Sequence, residues 1–249
     1  MSVLKSLVKS SVVLCDWGMR VGRISKYSYH HHLIKLIMQR AEGSHGSVWI
    51  NVGAHDGGVL REMLTNAPEA EFLAFEPLPK FYQILKYRFP GGNVHVFNMA
   101  LSDRAGEVRF NFVTTNPAYS GFKLREYPSE NETIEEILVK TETLDSVIET
   151  INLGKVKFIK IDIGGAEFKV LSGSIKTLRH DKPIVVFEHG LGGADYYDTR
   201  PEQLFELLSS CGLCISSFSR FLRRRPSFTR EEFGKIFYNH LDFYFIAHP

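Results

Sequence analysis

Residues 48–60, Val-Trp-Ile-Asn-Val-Gly-Ala-His-Asp-Gly-Gly-Val-Leu, narrow the folds open to this chain more than any other stretch. Val48 to Val52 are β-branched or aromatic around a single Asn51, the pattern of a buried strand. The run stops at Gly53, and Gly57 and Gly58 stand where a helix would begin. A strand that enters a glycine-rich turn and then a helix leaves backbone N–H groups free at the helix start, and glycine permits both φ > 0 and close approach. Such a turn suits a nucleotide-bearing cofactor. Its spacing is not Gly-x-Gly-x-x-Gly, which disfavours a dehydrogenase.

A second apolar strand, residues 71–76, ends in Glu76 and Pro77. A carboxylate at that tip, roughly 20 residues past the glycine turn, is placed for a ribose diol, and it can equally serve the start of a helix at Pro79. Strands at 48–53, 71–76 and 93–98 alternate with helices at 57–66 and 79–88, which predicts a parallel sheet covered on both faces. Further on, 156–162 is an apolar strand ending in Asp162, and 183–189 is another that delivers Glu188 and His189 before Gly190-Leu-Gly-Gly193. The ligand crevice of an open α/β sheet lies along the carboxyl ends of its strands, so Gly53, Glu76, Asp103 and Asp162 are expected in one cleft.

Between these halves the period changes. Residues 108–113 alternate with period two and 137–141 supply a partner strand, so a hairpin is expected. The connection 114–136 is long for a compact domain, and Tyr119, Phe122, Lys123 and Tyr127 make it a candidate wall for substrate. A helix at 201–210, a strand at 213–218 and a terminal strand at 241–247, antiparallel to the rest, complete the reading. Arg220, Arg223, Arg224 and Arg225 read as an exposed charged loop rather than a substrate site.

Composition excludes more than it identifies. Thirty basic and 28 acidic side chains leave a net charge of +2, so no global field argues for nucleic acid or an anionic membrane. Three cysteines, Cys15, Cys211 and Cys214, cannot all pair within the chain, and buried thiols in a reducing, cytoplasmic compartment are expected. Leu4, Leu7, Val8 and Ser11 recur at helical spacing, and a second helix is expected at 27–38 with Leu33, Ile34, Ile37 and Met38 as its apolar side. His30, His31 and His32 are consecutive, so they splay around that helix and make no metal site. No stretch reads as a transmembrane segment. The main domain is placed at 46–249, after a helical extension at 1–45.

Several ordered motifs together resemble the FkbM-type methyltransferases: Asn-Val-Gly-Ala-His-Asp-Gly (51–57), Phe-Glu-Pro (75–77), Ala-Leu-Ser-Asp (100–103), Thr-Leu-Asp-Ser-Val (143–147) and Ile-Lys-Ile-Asp-Ile-Gly-Gly-Ala-Glu (159–167). The resemblance implies a seven-stranded Rossmann-like sheet, mostly parallel with its last strand antiparallel, and S-adenosylmethionine as cofactor. It implies that Gly53 and its neighbours Asn51, Ala54, His55 and Gly57 hold the methionine end. Glu76, followed by Pro77, would take the ribose hydroxyls, Ser102 and Asp103 would lie near adenine, and Asp162 would lie at the reaction face.

The implied reaction is methyl transfer to a hydroxyl of a sugar, glycan or small-molecule scaffold. For the acceptor's proton, His189 and Asp162 are the candidate bases, since each is expected at a strand tip. Asn51, His55 and Gly164 stand where the family usually has Asp, Asn and Glu. Asn51 hydrogen-bonds without charge and Gly164 removes a carboxylate, so the alternative reading is a binding module that keeps the fold without turnover.

Overall fold

A computed structural model describes residues 11, 12, 19, 25–41, 45–127 and 129–249. The helix expected from Leu4, Leu7 and Val8, the thiol of Cys15 and the linker at Gly43 lie outside the described residues, while Ser11 and Val12 are helical. In chain order come α1 (Lys26–Met38), β1 (Ser47–Val52), α2 (Gly58–Asn66), β2 (Glu71–Phe75), α3 (Pro79–Arg88), β3 (Val94–Phe97), β4 (Ala100–Leu101) and β5 (Gly106–Val113). There follow β6 (Ile134–Glu142), α4 (Leu144–Ile151), β7 (Lys155–Ile161), α5 (Glu167–Ser172), α6 (Ile175–Asp181), β8 (Ile184–Glu188), α7 (Pro201–Ser210), β9 (Cys214–Ser216), α8 (Phe218–Leu222), α9 (Arg230–Tyr238) and β10 (Tyr244–His248).

Seven strands form one sheet in the order β3-β2-β1-β7-β8-β10-β9. The first five run parallel, and β10 lies antiparallel between β8 and β9. Every residue of β1 is buried. Val48, Ile50 and Val52 face one apolar layer, which includes Leu144, Leu178, Leu204 and Phe233 from the helices. Trp49 faces the other, with Leu33 and Ile37 of α1, Leu60 of α2 and Phe218 of α8. A central strand covered on both sides reads as a continuous apolar run, which is why 48–52 shows no alternation.

The expected hairpin is longer at both ends: β5 and β6 pair antiparallel from Gly106 with Thr141 to Val113 with Ile134. With β4 they make a separate three-stranded sheet. Phe110 and Val139 pack on Leu78, Phe81 and Ala100, which seats the hairpin beside the carboxyl ends of β2 and β3.

Helix starts follow local chemistry. Thr143 caps α4 through Ser146 N at 3.2 Å, and Pro79 and Pro201 open α3 and α7, where their missing N–H costs no bond. Sequence reasoning missed α9, although Thr229 and Glu232 form a capping box there. The arginine cluster is partly helical rather than a loop: Arg220 lies in α8, pairs with Glu232 at 3.0 Å and covers the Phe228 ring at 4.3 Å. Among the described residues no helix is long and apolar enough to cross a membrane.

Candidate active site

From β1 the chain builds outward to β2 and β3 on one side and later to β7 and β8 on the other, so the strand order reverses between β1 and β7. At such a switch point the connections leave in opposite directions and open a crevice at the carboxyl ends. Gly53 follows β1 and Asp162 follows β7, and they abut: a Cβ on Gly53 would lie 2.3 Å from the Asp162 carbonyl oxygen. Gly53 also has φ of 76°. Glycine is therefore required first by strand packing. At Gly57 a Cβ would meet Phe89 at 2.5 Å, so that glycine too makes room for protein, beneath α3.

The crevice holds a cavity of about 380 Å³. One end is Glu76, which is buried, its Oε2 accepting from His55 N at 2.8 Å and its Oε1 from Leu78 N at 3.0 Å. Burial pushes this carboxyl up, against the two N–H bonds, which favour its ionised form. Each carboxylate oxygen accepts one protein bond and keeps lone-pair capacity for a diol. The His55 ring stacks on Phe81 at 3.9 Å, closing that side. Met99, Leu101, Phe110 and Phe122 supply apolar lining, and Asp162 lines the same cavity. An acid for the ribose, an apolar slot for the purine and an acid for the sulfonium end are what S-adenosylmethionine needs, and the residues present fit it. His31 of α1 also lines this cavity.

Asp162 borders a second cavity of about 330 Å³, with Arg125, Glu167, Glu188 and the 190–194 turn. Lys160 Nζ lies 2.9 Å and Tyr244 Oη 3.0 Å from Asp162 Oδ2. Burial works to raise the Asp162 carboxyl, but the Lys160 charge and the bonds from Lys160, Tyr244 and Glu188 hold it below the usual range. Glu188 is pushed well above its ordinary value by burial and by the charges of Asp162 and Glu167. Asp162 is thus held toward its ionised form and its neighbour Glu188 toward its neutral form. Glu167 is fully buried, and burial pushes it up to about 7 although its Oε1 accepts from Ile163 N and Gly165 N. Its Oε2 has no partner among the described residues.

Of the residues expected around the cofactor, Gly53, Ala54, His55, Glu76, Pro77 and Asp162 line the first cavity. Asn51, Gly57, Ser102 and Asp103 do not. Asn51 sits within β1, buried, its amide atoms without a partner among the described residues. Ser102 Oγ donates to Asp103, and Asp103 pairs with Lys169 at 3.3 Å, so that turn faces α5 while Met99, Ala100 and Leu101 reach the cavity. His189 lines the second cavity with Asp162; its ring stacks on Phe237 at 4.7 Å and on Phe233, and burial lowers its pKa to about 3. Burial thus holds the ring neutral, without the near-neutral proton affinity that a base at that strand tip was expected to have.

Sequence reasoning passed over Lys160, Glu167 and Arg125. Lys160 had a visible signal, a cation in an otherwise apolar stretch two residues before Asp162 and therefore on the same face. Arg125 had none, because its placement depends on how the 114–136 connection folds back.

The model of the methyltransferase FkbM domain matches residues 51–213, more than half of the chain. The chain belongs to the FkbM methyltransferase family. Within it, the chain is 27% identical over 142 residues to the 2-O-methyltransferase NoeI of Sinorhizobium fredii, a match covering 53% of this chain and 58% of that relative. The FkbM methyltransferase structure from Methylobacillus flagellatus superposes with a TM-score of 0.50 at 15% identity, over 82% of this chain and 44% of the other. The chain thus carries a methyltransferase FkbM domain on a Rossmann-like sheet.

Proposed function

We propose that residues 46–249 form an S-adenosylmethionine-dependent O-methyltransferase domain that acts on a hydroxyl of a carbohydrate or small-molecule scaffold. The observation that carries this reading is that Asp162 borders both cavities, so one carboxylate faces a cofactor site on one side and an acceptor site on the other. The name of the relative NoeI supports oxygen as the atom methylated. Bound in the first cavity, the cofactor supplies an electrophilic methyl group on a sulfonium. The protein's part is positioning and proton handling. Glu76 anchors the ribose, and Asp162, kept ionised by Lys160 and Tyr244, complements the positive sulfonium end. As the acceptor oxygen takes the methyl group, its proton passes to the Asp162 carboxylate. Glu188, held toward its neutral form by burial and by the charges of Asp162 and Glu167, adds no second negative charge beside that base.

Calorimetric titration with S-adenosylmethionine tests the cofactor half. Micromolar binding is expected, with Glu76→Ala weakening it by about tenfold or more while circular dichroism shows the fold intact. Transfer of a labelled methyl group to a panel of sugars and hydroxylated scaffolds then tests the acceptor half. Cofactor binding with no methyl transfer to any hydroxyl would leave a non-catalytic module, and absence of cofactor binding would overturn the assignment of the first cavity.

A further inference from the structure

The second cavity carries a cation that the proposed reaction leaves unused. Arg125, on the connection between β5 and β6, lies over the Tyr119 ring at 4.6 Å and reaches Ala118 O at 3.2 Å and Gly164 O at 3.4 Å. Gly164 makes this possible: a Cβ there would fall 2.8 Å from the guanidinium, so the flat group rests on bare backbone where a side chain would stand. A guanidinium has five N–H donors, and two backbone carbonyls satisfy only part of them. No carboxylate pairs with it among the described residues, although Asp162, Glu167 and Glu188 line the same cavity.

The other charges of the cavity are accounted for. Asp162 is paired with Lys160, which lines the first cavity. Glu188 is held toward its neutral form, and Glu167 titrates at about 7. Arg125 is the cation lining this cavity that no carboxylate pairs with among the described residues, held on one wall while Asp162 lines both this cavity and the first. A planar cation with free donors, stacked on an aromatic ring, matches the geometry of a carboxylate, phosphate or sulfate.

Building on the methyltransferase reading, we propose that the second cavity takes an acceptor bearing an anionic group, which Arg125 holds while the hydroxyl to be methylated faces Asp162. Arg125 is a specificity-determining residue in this scheme. It selects the acceptor and sets its orientation without touching the methyl group. Uronic acids and phosphorylated sugars share the required chemistry.

The test is calorimetric titration of the protein loaded with S-adenosylhomocysteine, using inorganic phosphate, glucuronic acid, glucose 6-phosphate and glucose as probes. The expected result is that phosphate binds, and that at least one charged sugar binds tenfold or more tightly than glucose. Which of the two binds distinguishes a carboxylate from a phosphate as the natural group. Arg125→Gln is expected to abolish phosphate binding and the preference for charge, Arg125→Lys to keep part of both, and neither to change affinity for S-adenosylhomocysteine. Absence of phosphate binding, or binding undiminished in Arg125→Gln, overturns the proposal. So does loss of S-adenosylhomocysteine affinity in Arg125→Gln, which would assign the arginine to the cofactor's own carboxylate. If the wild-type protein binds no S-adenosylhomocysteine, the cofactor reading fails separately, and the same probes applied to the unloaded protein still decide the role of Arg125.

Discussion

At the scale of single residues, the site is defined by carboxyl groups whose environments separate their proton affinities. Asp162 is held down by Lys160, whereas Glu167 is raised to about 7 by complete burial. The linkage for Glu167 follows from its ordinary value of 4.5. Between pH 4.5 and 7 the folded state keeps a proton that the unfolded chain releases, so stability falls as pH rises through that window. The span corresponds to about 3 kcal/mol at most. Glu167→Gln keeps an acceptor for Ile163 N and Gly165 N and removes the titration. Denaturant unfolding at pH 5 and pH 7.5 should show the wild-type protein losing stability relative to the variant as pH rises. Parallel behaviour of the two would mean that Glu167 does not hold a proton in the folded state.

At the scale of elements, the connection expected to be a long loop is tied down. Residues 117–119 form a 3-10 turn, Asn111 bridges Gly121, and Tyr197 Oη accepts from Phe122 N at 3.1 Å. Tyr196 Oη accepts from Glu126 N at 3.0 Å, so two adjacent tyrosines of one short turn hold the wall that carries Arg125. Burial pushes the Tyr197 phenol up to about 12, so it stays protonated across the working range. Tyr197→Phe removes the acceptor of the Phe122 amide, with an expected cost of about 1 kcal/mol. Amide hydrogen exchange at Phe122 and its neighbours should accelerate about fivefold or more, while β1 and β7 stay protected. No change in exchange would mean that packing alone holds the segment.

At the scale of the whole molecule, the boundary proposed at residue 46 separates sequence motifs but cuts through a core. Leu33, Ile37 and Met38 of α1 are buried in the same layer as Trp49, Phe72 and Phe158 of the sheet. Ile37→Ala is expected to cost about 2–5 kcal/mol through the cavity it leaves, read as a fall in the thermal midpoint. Removal of residues 1–41 exposes the Trp49 face and is expected to abolish cooperative unfolding. A truncated chain that melts with the wild-type midpoint would restore 46–249 as an autonomous domain.

What the sequence by itself determined was the strand-turn-helix alternation and the tips of strands. Burial on both faces makes 48–52 and 158–161 largely apolar, and the residue that ends each run is locally specified, as Gly53, Glu76 and Asp162 are. The hairpin was legible for the same reason, since period two in 108–113 is a local property. Tertiary structure alone decided which tips share a cavity. Asp103 turns away to Lys169, whereas His189 stacks on Phe233 and Phe237 and lines the second cavity with Asp162, because a side chain's direction is set by the elements packed beside it. It also decided that Arg125 fills the space above Gly164. That contact joins residues far apart in the chain, and nothing in either neighbourhood of the sequence encodes it.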